Sequence, residues 1–459
     1  MRASSPLAIA SLAILFALRA AAAPASTPAS APDDPLDQLF SATFHAGAPG
    51  AAILIAQDGR PLFRKSYGQA NLELDVPLNP ADRFRICSLT KQFTAVAILQ
   101  LAHQQKIHLD DPLADYLPDY PAATRVTLRQ LLTHTAGIPS ADADWPKIWR
   151  QDLTLPQLLD LTRDKPLDFP PGSNFRYSNA GYVLLGAVIE KASGQPYADY
   201  LRSHIFQPAG MTDTCYDSDD TVIPHRVPGY VRHADAWDRA PFISMTQPFS
   251  AGSLLSTIDD LAKFHHALDT GKLVAPDLLA QAYTAVTLPD GRSTHYGFAW
   301  ALDSLDRHPT RQHAGGMPGF SAFSLEIPDA RLFIILLANT SDPPAPLHTL
   351  ALAAARLVLH EPAPPPLPPL SPADLQLYPG AYRVAPDQSF IVSLDHGHLF
   401  AQLGRGRKEL IPLAPDTFTT PDHGFTFTFR RDPSGHITRI DARPDAPGPD
   451  LTWPRTPTP

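Results

Sequence analysis

A proline-rich segment, Glu361-Pro-Ala-Pro-Pro-Pro-Leu-Pro-Pro-Leu370, divides this chain of 459 residues into two unequal parts. Proline lacks a backbone N–H and fixes its own φ angle, so a run this dense in proline forms neither a helix nor a paired strand. We therefore expect a semi-rigid linker at 361–371, between a large domain at 36–360 and a small domain at 372–459. A chain of this length also exceeds what one hydrophobic core usually organises.

The N-terminus has the pattern of an export signal. Arg2 is followed by a mostly apolar stretch from Leu7 to Leu18 and by a run of alanines that ends at Ala23. This order is typical of a secretory signal peptide, and the apolar stretch is too short for a stable membrane span. We predict a signal peptide at 1–23, a disordered leader at 24–35, and a mature protein that is periplasmic or secreted without a stable membrane anchor.

The net charge indicates which class of partner the chain binds, and the cysteine count indicates whether disulfide bonds hold the fold together. The formal net charge is −9 and no basic run occurs, which argues against a nucleic-acid partner held through its phosphates. A small-molecule or peptide substrate is favoured instead. Cys87 and Cys215 are too few for a disulfide framework. We favour two separate thiols, although a single disulfide bond between them is also compatible with the sequence. The sequence does not determine the oligomeric state.

Strand signals occur at both ends of the large domain. Asp58-Gly59, a dipeptide typical of a two-residue hairpin turn, separates the first two strand-like runs. The later runs are also closely linked, so they should pair antiparallel. The predicted strands are 51–57, 61–67, 296–302, 311–316, 320–327 and 331–339.

Helical patterns lie between these strands and after them. The longest predicted helix runs from Ser88 through Lys106, with apolar side chains at helical spacing. Short helical patterns then alternate with turns over 112–270, and a last helix at 345–360 precedes the linker. The segment 112–270 is therefore expected to form a mainly helical insert.

The small domain has the pattern of an all-β fold. Its predicted strands are short, and turn signals such as His396-Gly397 separate several of them. Regularly spaced short strands of this kind predict a small antiparallel barrel or sandwich. The predicted strands are 380–384, 389–394, 398–403, 409–413, 425–430 and 437–441.

Ser88-Leu-Thr-Lys91 begins the longest predicted helix and is the only Ser-x-x-Lys sequence in the chain. A spacing of three residues places both side chains on one helix face. A serine hydroxyl is a poor nucleophile until a nearby base takes its proton, and a neutral lysine amine can act as that base. Backbone N–H groups at a helix start can also face the oxyanion that forms during acyl transfer.

Two further motifs follow this one along the chain. Tyr177-Ser-Asn179 is the second, and His313-Ala-Gly315, on a predicted strand, is the third. With Phe84-Arg-Ile-Cys-Ser-Leu-Thr-Lys91, they resemble the class C β-lactamases and their penicillin-binding and esterase relatives over about 36–360. The resemblance implies an α/β fold, in which an antiparallel sheet flanked by helices joins an all-helical region at the active-site cleft. The small domain resembles the lipocalin-like domains found beside such hydrolases.

The resemblance also implies roles for individual residues. Ser88 would attack a carbonyl carbon, while Lys91 and Tyr177 share the acid–base work on its proton. Asn179 would hydrogen-bond Lys91 or a substrate amide. The backbone N–H groups of Ser88 and Gly316 would stabilise the oxyanion.

The third motif departs from the family's commonest form. Many relatives place Lys-Thr-Gly or Lys-Ser-Gly here, where a cation and a hydroxyl help to bind a substrate carboxylate. His313 offers only a conditional charge and Ala314 no hydroxyl, so carboxylate recognition should be weaker. His313 and Gly315 are still expected to take part in substrate binding.

The remaining histidines carry no predicted chemistry. The resemblance places His134 in a structural turn of the family. His265 and His266 show none of the His-x-x-x-His spacing that metal ligands on one helix use. We therefore predict no metal site and no cofactor.

Together these features predict an exported serine hydrolase that acts through an acyl-enzyme on ester, amide or peptide substrates, with D-amino-acid peptides among the candidates. A β-lactamase or a D-alanyl-D-alanine carboxypeptidase is the nearest alternative. A binding or scaffold protein that keeps the fold without turnover is an alternative of another class. The presence of Ser88, Lys91, Tyr177 and Asn179 together favours an enzyme.

Overall fold

The computed structural model describes residues 34–140, 145–362, 370–385, 388–403, 406–420, 425–444 and 448–456. The predicted signal peptide, most of the predicted leader and positions 363–369 of the predicted linker lie outside these ranges. A helix begins at Pro35, inside the range predicted as leader, because the Asp34 side chain accepts a hydrogen bond from the Leu36 N–H and caps it. Among the described residues, no helix has the length and apolar character needed to cross a membrane.

The large region contains both sheet and helix. Its strands are β1 (Ala51–Gln57), β2 (Arg60–Tyr67), β3 (Gln69–Asn71), β4 (Val76–Pro77), β5 (Phe84–Arg85), β6 (Cys215–Tyr216), β7 (Tyr230–His233), β8 (Ala236–Arg239), β9 (Leu254–Ser256), β10 (Ala301–Leu305), β11 (His308–Met317), β12 (Phe320–Ile327) and β13 (Leu332–Ala338). Its helices are α1 (Pro35–Thr43), α2 (Thr90–His103), α3 (Leu128–Leu132), α4 (Trp145–Ile148), α5 (Leu155–Arg163), α6 (Asn179–Ser193), α7 (Tyr197–Leu201), α8 (Gln207–Ala209), α9 (Ile258–Asp269), α10 (Pro276–Ala282) and α11 (Leu347–Leu359).

A six-stranded antiparallel sheet with the order β10-β11-β12-β13-β1-β2 forms the centre of this region. Strands β1 and β13 are nearly continuous apolar runs that are buried on both faces, as expected for strands covered by helices on each side. The predicted hairpin between β1 and β2 is confirmed. Asp58 and Gly59 both have positive φ angles, of 53° and 72°, which suit a tight two-residue turn.

Helices cover both faces of this sheet. On one face, α1 and α11 pack against the sheet and contribute Phe40 and Leu350 to a buried core. On the other face, α2 and α9 pack over a second core that continues into the helical region formed by α3 to α8. The predicted fold class, an antiparallel sheet flanked by helices with an added helical region, is confirmed.

Some predicted elements differ from the structure. The long helix does not begin at Ser88, because Cys87–Leu89 forms a 3-10 turn before α2, which ends at His103. The predicted strand 296–302 was wrong over most of its length. His295 and Ala299 have φ angles of 50° and 65°, which break the extended conformation, and β10 starts only at Ala301. The helical insert also contains short strands, namely β6, β7, β8 and β9.

The C-terminal region begins with a short helix, α12 (Pro372–Leu375), and continues as two antiparallel sheets. The first sheet contains β14 (Gly380–Ala385), β15 (Gln388–Asp395), β16 (His398–Leu403) and β17 (Gly406–Glu409). The second contains β18 (Ile411–Ala414), β19 (Thr417–Thr419), β20 (Phe425–Arg431), β21 (Ile437–Pro444) and β22 (Leu451–Pro454). The predicted strand 409–413 is divided between the two sheets, and the sequence did not predict β19 or β22.

Both sheets of the C-terminal region share one aromatic core. Phe390 of the first sheet contacts Trp453 of the second with ring centroids 5.0 Å apart, and Tyr382 contacts Phe429 at 5.6 Å. The prediction of an all-β region is therefore confirmed. Of the two predicted forms, the structure has the sandwich, since the described residues form no closed barrel. An ion pair between Arg443 of β21 and Asp303 of β10, at 2.9 Å, joins this region to the central sheet.

Candidate active site

Ser88 lies between the central sheet and the helical region. Strand β5 pairs with β9, and the chain then turns sharply at Cys87, which has a φ angle of 50° and is the first residue of the 3-10 turn that carries Ser88. The Cys87 side chain is buried, and burial raises the pKa of its thiol to about 12, so it stays protonated. Cys87 and Cys215 are both free thiols in the structure.

Strand β11 passes directly beside this turn. A Cβ atom on Gly315 would lie 2.7 Å from the Ile86 carbonyl oxygen and 3.2 Å from the Ser88 nitrogen, so only glycine allows this approach. The next residue, Gly316, has open space where a side chain would be and borders the same pocket as Ser88. Gly315, of the third motif, and Gly316, which follows it, therefore have different surroundings beside Ser88. Gly315 permits close packing, and Gly316 lines the pocket.

Lys91 follows Ser88 by three residues, at the start of α2, and its side chain is fully buried. Its Nζ lies 3.1 Å from Ser88 Oγ, 2.7 Å from Asn179 Oδ1 and 2.8 Å from the Ala251 carbonyl oxygen. These three acceptors match the three donors of an ammonium group. The Ala251 carbonyl comes from the turn before β9, and no pattern in the sequence predicts its contact with Lys91.

Tyr177 and Asn179 reach this centre from the start of α6. The Ser178 side chain caps the helix by accepting a hydrogen bond from the Gly181 N–H, which fixes Asn179 as the first helical residue. Lys91 Nζ lies 4.8 Å from the centre of the Tyr177 ring. The structure therefore brings all three residues of the predicted catalytic group, together with Asn179, into one place.

An aromatic cluster lies behind these residues. The His134 ring is buried, with its centroid 4.3 Å from that of Tyr177, 5.0 Å from Tyr182 and 5.1 Å from Tyr296. Its Nδ1 accepts a hydrogen bond from the Ser178 N–H at 3.1 Å. Burial lowers the pKa of His134 well below its usual value, and the charge of Lys91 adds to this effect. His134 is therefore a neutral ring that packs against Tyr177.

His313 belongs to the same cluster and is also buried. Its Nδ1 lies 2.7 Å from the Ala314 carbonyl oxygen, and a carbonyl only accepts, so Nδ1 carries the proton. Its Nε2 then accepts the hydrogen bond from the Tyr296 hydroxyl at 3.0 Å. Burial lowers the pKa of His313 to about 3, with a further contribution from Lys91. His313 thus offers no positive charge near neutral pH, and both of its nitrogens have protein partners.

A mostly apolar pocket opens beside Ser88. It extends along Gly252, Ala251 and Gly316, and Asn179 contributes its polar side chain. The side chains that complete the walls are Trp149, Ile243, Gln247, Pro248, Met317 and Pro318. These wall residues were not predicted, since all of them except Met317, the last residue of β11, come from loops that have no pattern of their own. A larger pocket near Arg64 and Asp259 lies away from Ser88.

The arrangement can support acyl transfer. A serine hydroxyl, a buried amine and a phenol lie together beside a pocket with water-excluding walls, which is the set of groups that nucleophilic catalysis needs. Among the described residues, the one group of three side chains of metal-ligand type is His265, Asp269 and Glu326, and none of these three borders the Ser88 pocket.

The chain is similar in sequence and in structure to known penicillin-binding proteins. The penicillin-binding protein 4* of Bacillus subtilis (strain 168) is 30% identical over 396 residues, which cover 80% of this chain and 86% of that protein. The structure of an octameric penicillin-binding protein homologue from Pyrococcus abyssi superposes with a TM-score of 0.64 at 25% identity, covering 88% of this chain and 96% of that one.

A D-stereospecific amidohydrolase from Streptomyces sp. is similar as well. Its structure superposes with a TM-score of 0.60 at 26% identity, and the match covers 71% of this chain and 97% of that one. The family described as Beta-lactamase matches residues 36–359, which is more than half of the chain. The chain therefore belongs to the β-lactamase and penicillin-binding-protein family of serine hydrolases.

Proposed function

We propose that the chain is an exported hydrolase in which Ser88 Oγ attacks a carbonyl carbon and forms a covalent acyl-enzyme. The observation that carries this proposal is the 3.1 Å separation between Lys91 Nζ and Ser88 Oγ. As the new C–O bond forms, the Ser88 proton passes either to Lys91 in its neutral amine form or to a Tyr177 phenolate beside a charged Lys91, and from there to the leaving nitrogen or oxygen. Water then attacks the ester and releases the acid, which regenerates the Ser88 hydroxyl.

The oxyanion would form between the 3-10 turn and strand β11. The backbone N–H groups of Ser88 and Gly316 are the proposed donors, because both residues border the pocket in which the carbonyl would lie. The close approach at Gly315 supports this role, since it holds the strand against the turn that carries the nucleophile. A shift of either backbone would move one donor away from the oxyanion.

The proposed substrates are amides, peptides and esters in preference to penicillins. His313 is neutral near pH 7, so the third motif lacks the cation that would pair with a substrate carboxylate. Ala314 supplies no hydroxyl and lies on the strand face opposite His313. Each missing charge-assisted hydrogen bond is worth about 1.5 to 3 kcal/mol, or roughly a tenfold to hundredfold change in specificity.

Two observations suggest the kind of acyl group. The pocket walls beside Ser88 are mainly apolar, including Trp149, Ile243 and Met317, which suits an apolar or aromatic side chain. The similar amidohydrolase from Streptomyces sp. is described as D-stereospecific, so amides and short peptides of apolar D-amino acids are the first substrates to test. A β-lactamase or a D-alanyl-D-alanine carboxypeptidase would instead favour substrates that carry a carboxylate.

The proposal is tested by comparing kcat/KM for three substrate types. D-phenylalanine amide, a D-Ala-D-Ala peptide and a penicillin are incubated with the mature protein, and acylation is followed separately from turnover. We expect D-phenylalanine amide, which has no carboxylate, to have the highest kcat/KM, and the L-amide is the matched stereochemical control. A penicillin that is hydrolysed with a higher kcat/KM than any amide, peptide or ester would establish the β-lactamase alternative. No acylation by any substrate would favour a binding protein.

A further inference from the structure

A second cluster of reactive side chains lies where helix α9 packs on the central sheet, away from Ser88. His265 and Asp269 are four residues apart on α9, so they share one helix face, and Glu326 lies on β12. Each of the three side chains offers one atom that could bind a metal ion, and these three atoms all lie within 4.8 Å of one another. His265 Nε2 and Asp269 Oδ2 are 3.3 Å apart.

Glu326 has an unusual environment for a carboxylate. Its side chain is only 6% exposed, and its Oε1 accepts a hydrogen bond of 2.8 Å from Arg311. Its Oε2 is buried and has no hydrogen-bond partner among the described residues. An ionised carboxylate would leave this oxygen unsatisfied, whereas a protonated carboxyl would leave its O–H without an acceptor. Either state is costly in a buried site, which indicates a partner that the described part of the chain does not supply.

The orientation of His265 is also fixed. Its ring stacks on Phe333 with centroids 4.2 Å apart and an angle of 10° between the planes. Its side chain is 15% exposed, while that of Asp269 is 50% exposed. Both residues line the pocket beside Phe333, which gives a route from solvent to the cluster. This pocket exposes His265 and Asp269 to solvent, and Glu326 lines a neighbouring pocket that shares His265 and Phe333 with it.

We propose that His265, Asp269 and Glu326 bind one divalent transition-metal ion of the zinc type. One imidazole nitrogen and two carboxylate oxygens form a donor set that zinc accepts, with water completing the coordination. Magnesium and calcium prefer oxygen donors alone, so the imidazole disfavours them. Arg311 opposes the ion, but its charge is outweighed by the two carboxylates, which leaves the cluster with one net negative charge when His265 is neutral.

The bound ion would connect α9 to the central sheet. The prediction of no metal site from the sequence considers only pairs of histidines. His265 followed by Asp269 one helical turn later is a different pair of ligand types, which that pattern does not include. A glutamate from a strand distant in sequence completes the set. The proposed role is structural, because none of the three ligands borders the Ser88 pocket.

The test measures the melting temperature and binding heat of the untagged, metal-stripped protein with Zn²⁺, with Mg²⁺ and Ca²⁺ as comparison ions. At a zinc concentration about 100 times Kd, the melting temperature should rise by roughly 3 to 5 °C. Mg²⁺ and Ca²⁺ should have much smaller effects. The variants His265→Ala, Asp269→Asn and Glu326→Gln should each lose most of the zinc shift.

His266→Ala is the matched control, because His266 lies next to His265 but is exposed and outside the cluster. It should keep the full shift. If zinc does not stabilise the wild-type protein, or stabilises Asp269→Asn and Glu326→Gln as much as the wild type, the proposal is wrong. Covalent labelling of Ser88 should be unchanged in all four variants, so this test is independent of the proposed hydrolase mechanism.

Discussion

Asn179 Oδ1 lies 2.7 Å from Lys91 Nζ, which is closer than Ser88 Oγ at 3.1 Å. The shorter contact indicates that Asn179 holds the Lys91 side chain in place, while the longer one leaves the serine hydroxyl available for reaction. Asn179 is fixed in turn by the cap at Ser178, so the geometry at the nucleophile depends on where helix α6 begins.

Asn179→Ala should slow acylation about 10- to 100-fold, because it removes a hydrogen bond to a charged group that is worth roughly 1.5 to 3 kcal/mol. The rate is measured by stopped flow with a chromogenic ester. Asn174→Ala is the matched control, since Asn174 lies in the same loop and its side chain accepts a hydrogen bond from the neighbouring Phe175 N–H. A rate for Asn179→Ala equal to that of the control would remove Asn179 from the proposed mechanism.

Lys91→Ala and Tyr177→Phe should each slow acylation by orders of magnitude. The double variant should lose far less than the product of the two single losses, because both groups act on one proton. Lys263→Ala, which removes a partly exposed lysine paired with Asp260, should leave the rate unchanged. Fully multiplicative losses would show that Lys91 and Tyr177 have separate roles.

Gly315→Ala should reduce acylation more than it reduces stability. Its new Cβ would lie 2.7 Å from the Ile86 carbonyl oxygen, so the 3-10 turn that carries Ser88 must move. The comparison is Gly406→Ala on β17, where no atom lies within 4 Å of the added methyl group. Rates and urea unfolding curves are measured for both variants. Unchanged acylation by Gly315→Ala would mean that the packing of β11 on this turn does not position the nucleophile.

The buried histidines should make the protein sensitive to acid. Unfolded His313 takes up a proton near pH 6.5, whereas folded His313 does so only at about pH 3. Between these values the unfolded state binds more protons, so stability is full above pH 6.5 and falls by about 1.4 kcal/mol per pH unit as the pH is lowered. His134, with its pKa lowered in the same direction, adds to the loss.

Urea unfolding at pH 7 and pH 5 measures this effect. His313→Gln should lose about 2 kcal/mol less than the wild type between the two pH values, because glutamine does not titrate there. His103→Gln, which replaces an exposed histidine, should behave as the wild type does. Equal losses for His313→Gln and the wild type would show that His313 does not stay neutral in the folded protein.

Much of the site could be predicted because its parts are local in sequence. The spacing of Ser88 and Lys91 and the Tyr177-Ser-Asn179 motif each occupy a few consecutive residues, and the fold brings them together. The contact between Lys91 and the Ala251 carbonyl joins positions 160 residues apart and involves a backbone atom, so no side-chain pattern could reveal it.

The elements that were predicted wrongly have tertiary causes. The segment 296–302 has the aromatic and apolar residues of a strand, yet Tyr296 is buried in the cluster around His134, and the backbone turns at Ala299 to place it there. Helix α2 begins after the predicted start at Ser88 for a related reason. Cys87 has a positive φ angle beside strand β11, and such a conformation cannot be read from residue type.

The most direct test of Ser88 as the nucleophile is to treat the protein with a fluorophosphonate and to locate the covalent adduct by peptide mass spectrometry. Ser41→Ala, which replaces an exposed serine of α1, is the control. We predict a single adduct on Ser88 in the wild type and in Ser41→Ala. In Ser88→Ala, labelling and turnover should be lost, while stability should fall by no more than about 3 kcal/mol, the upper value for the hydrogen bond from Lys91 that is removed. An adduct on another residue, or turnover that persists in Ser88→Ala, would contradict the assignment of Ser88 as the nucleophile.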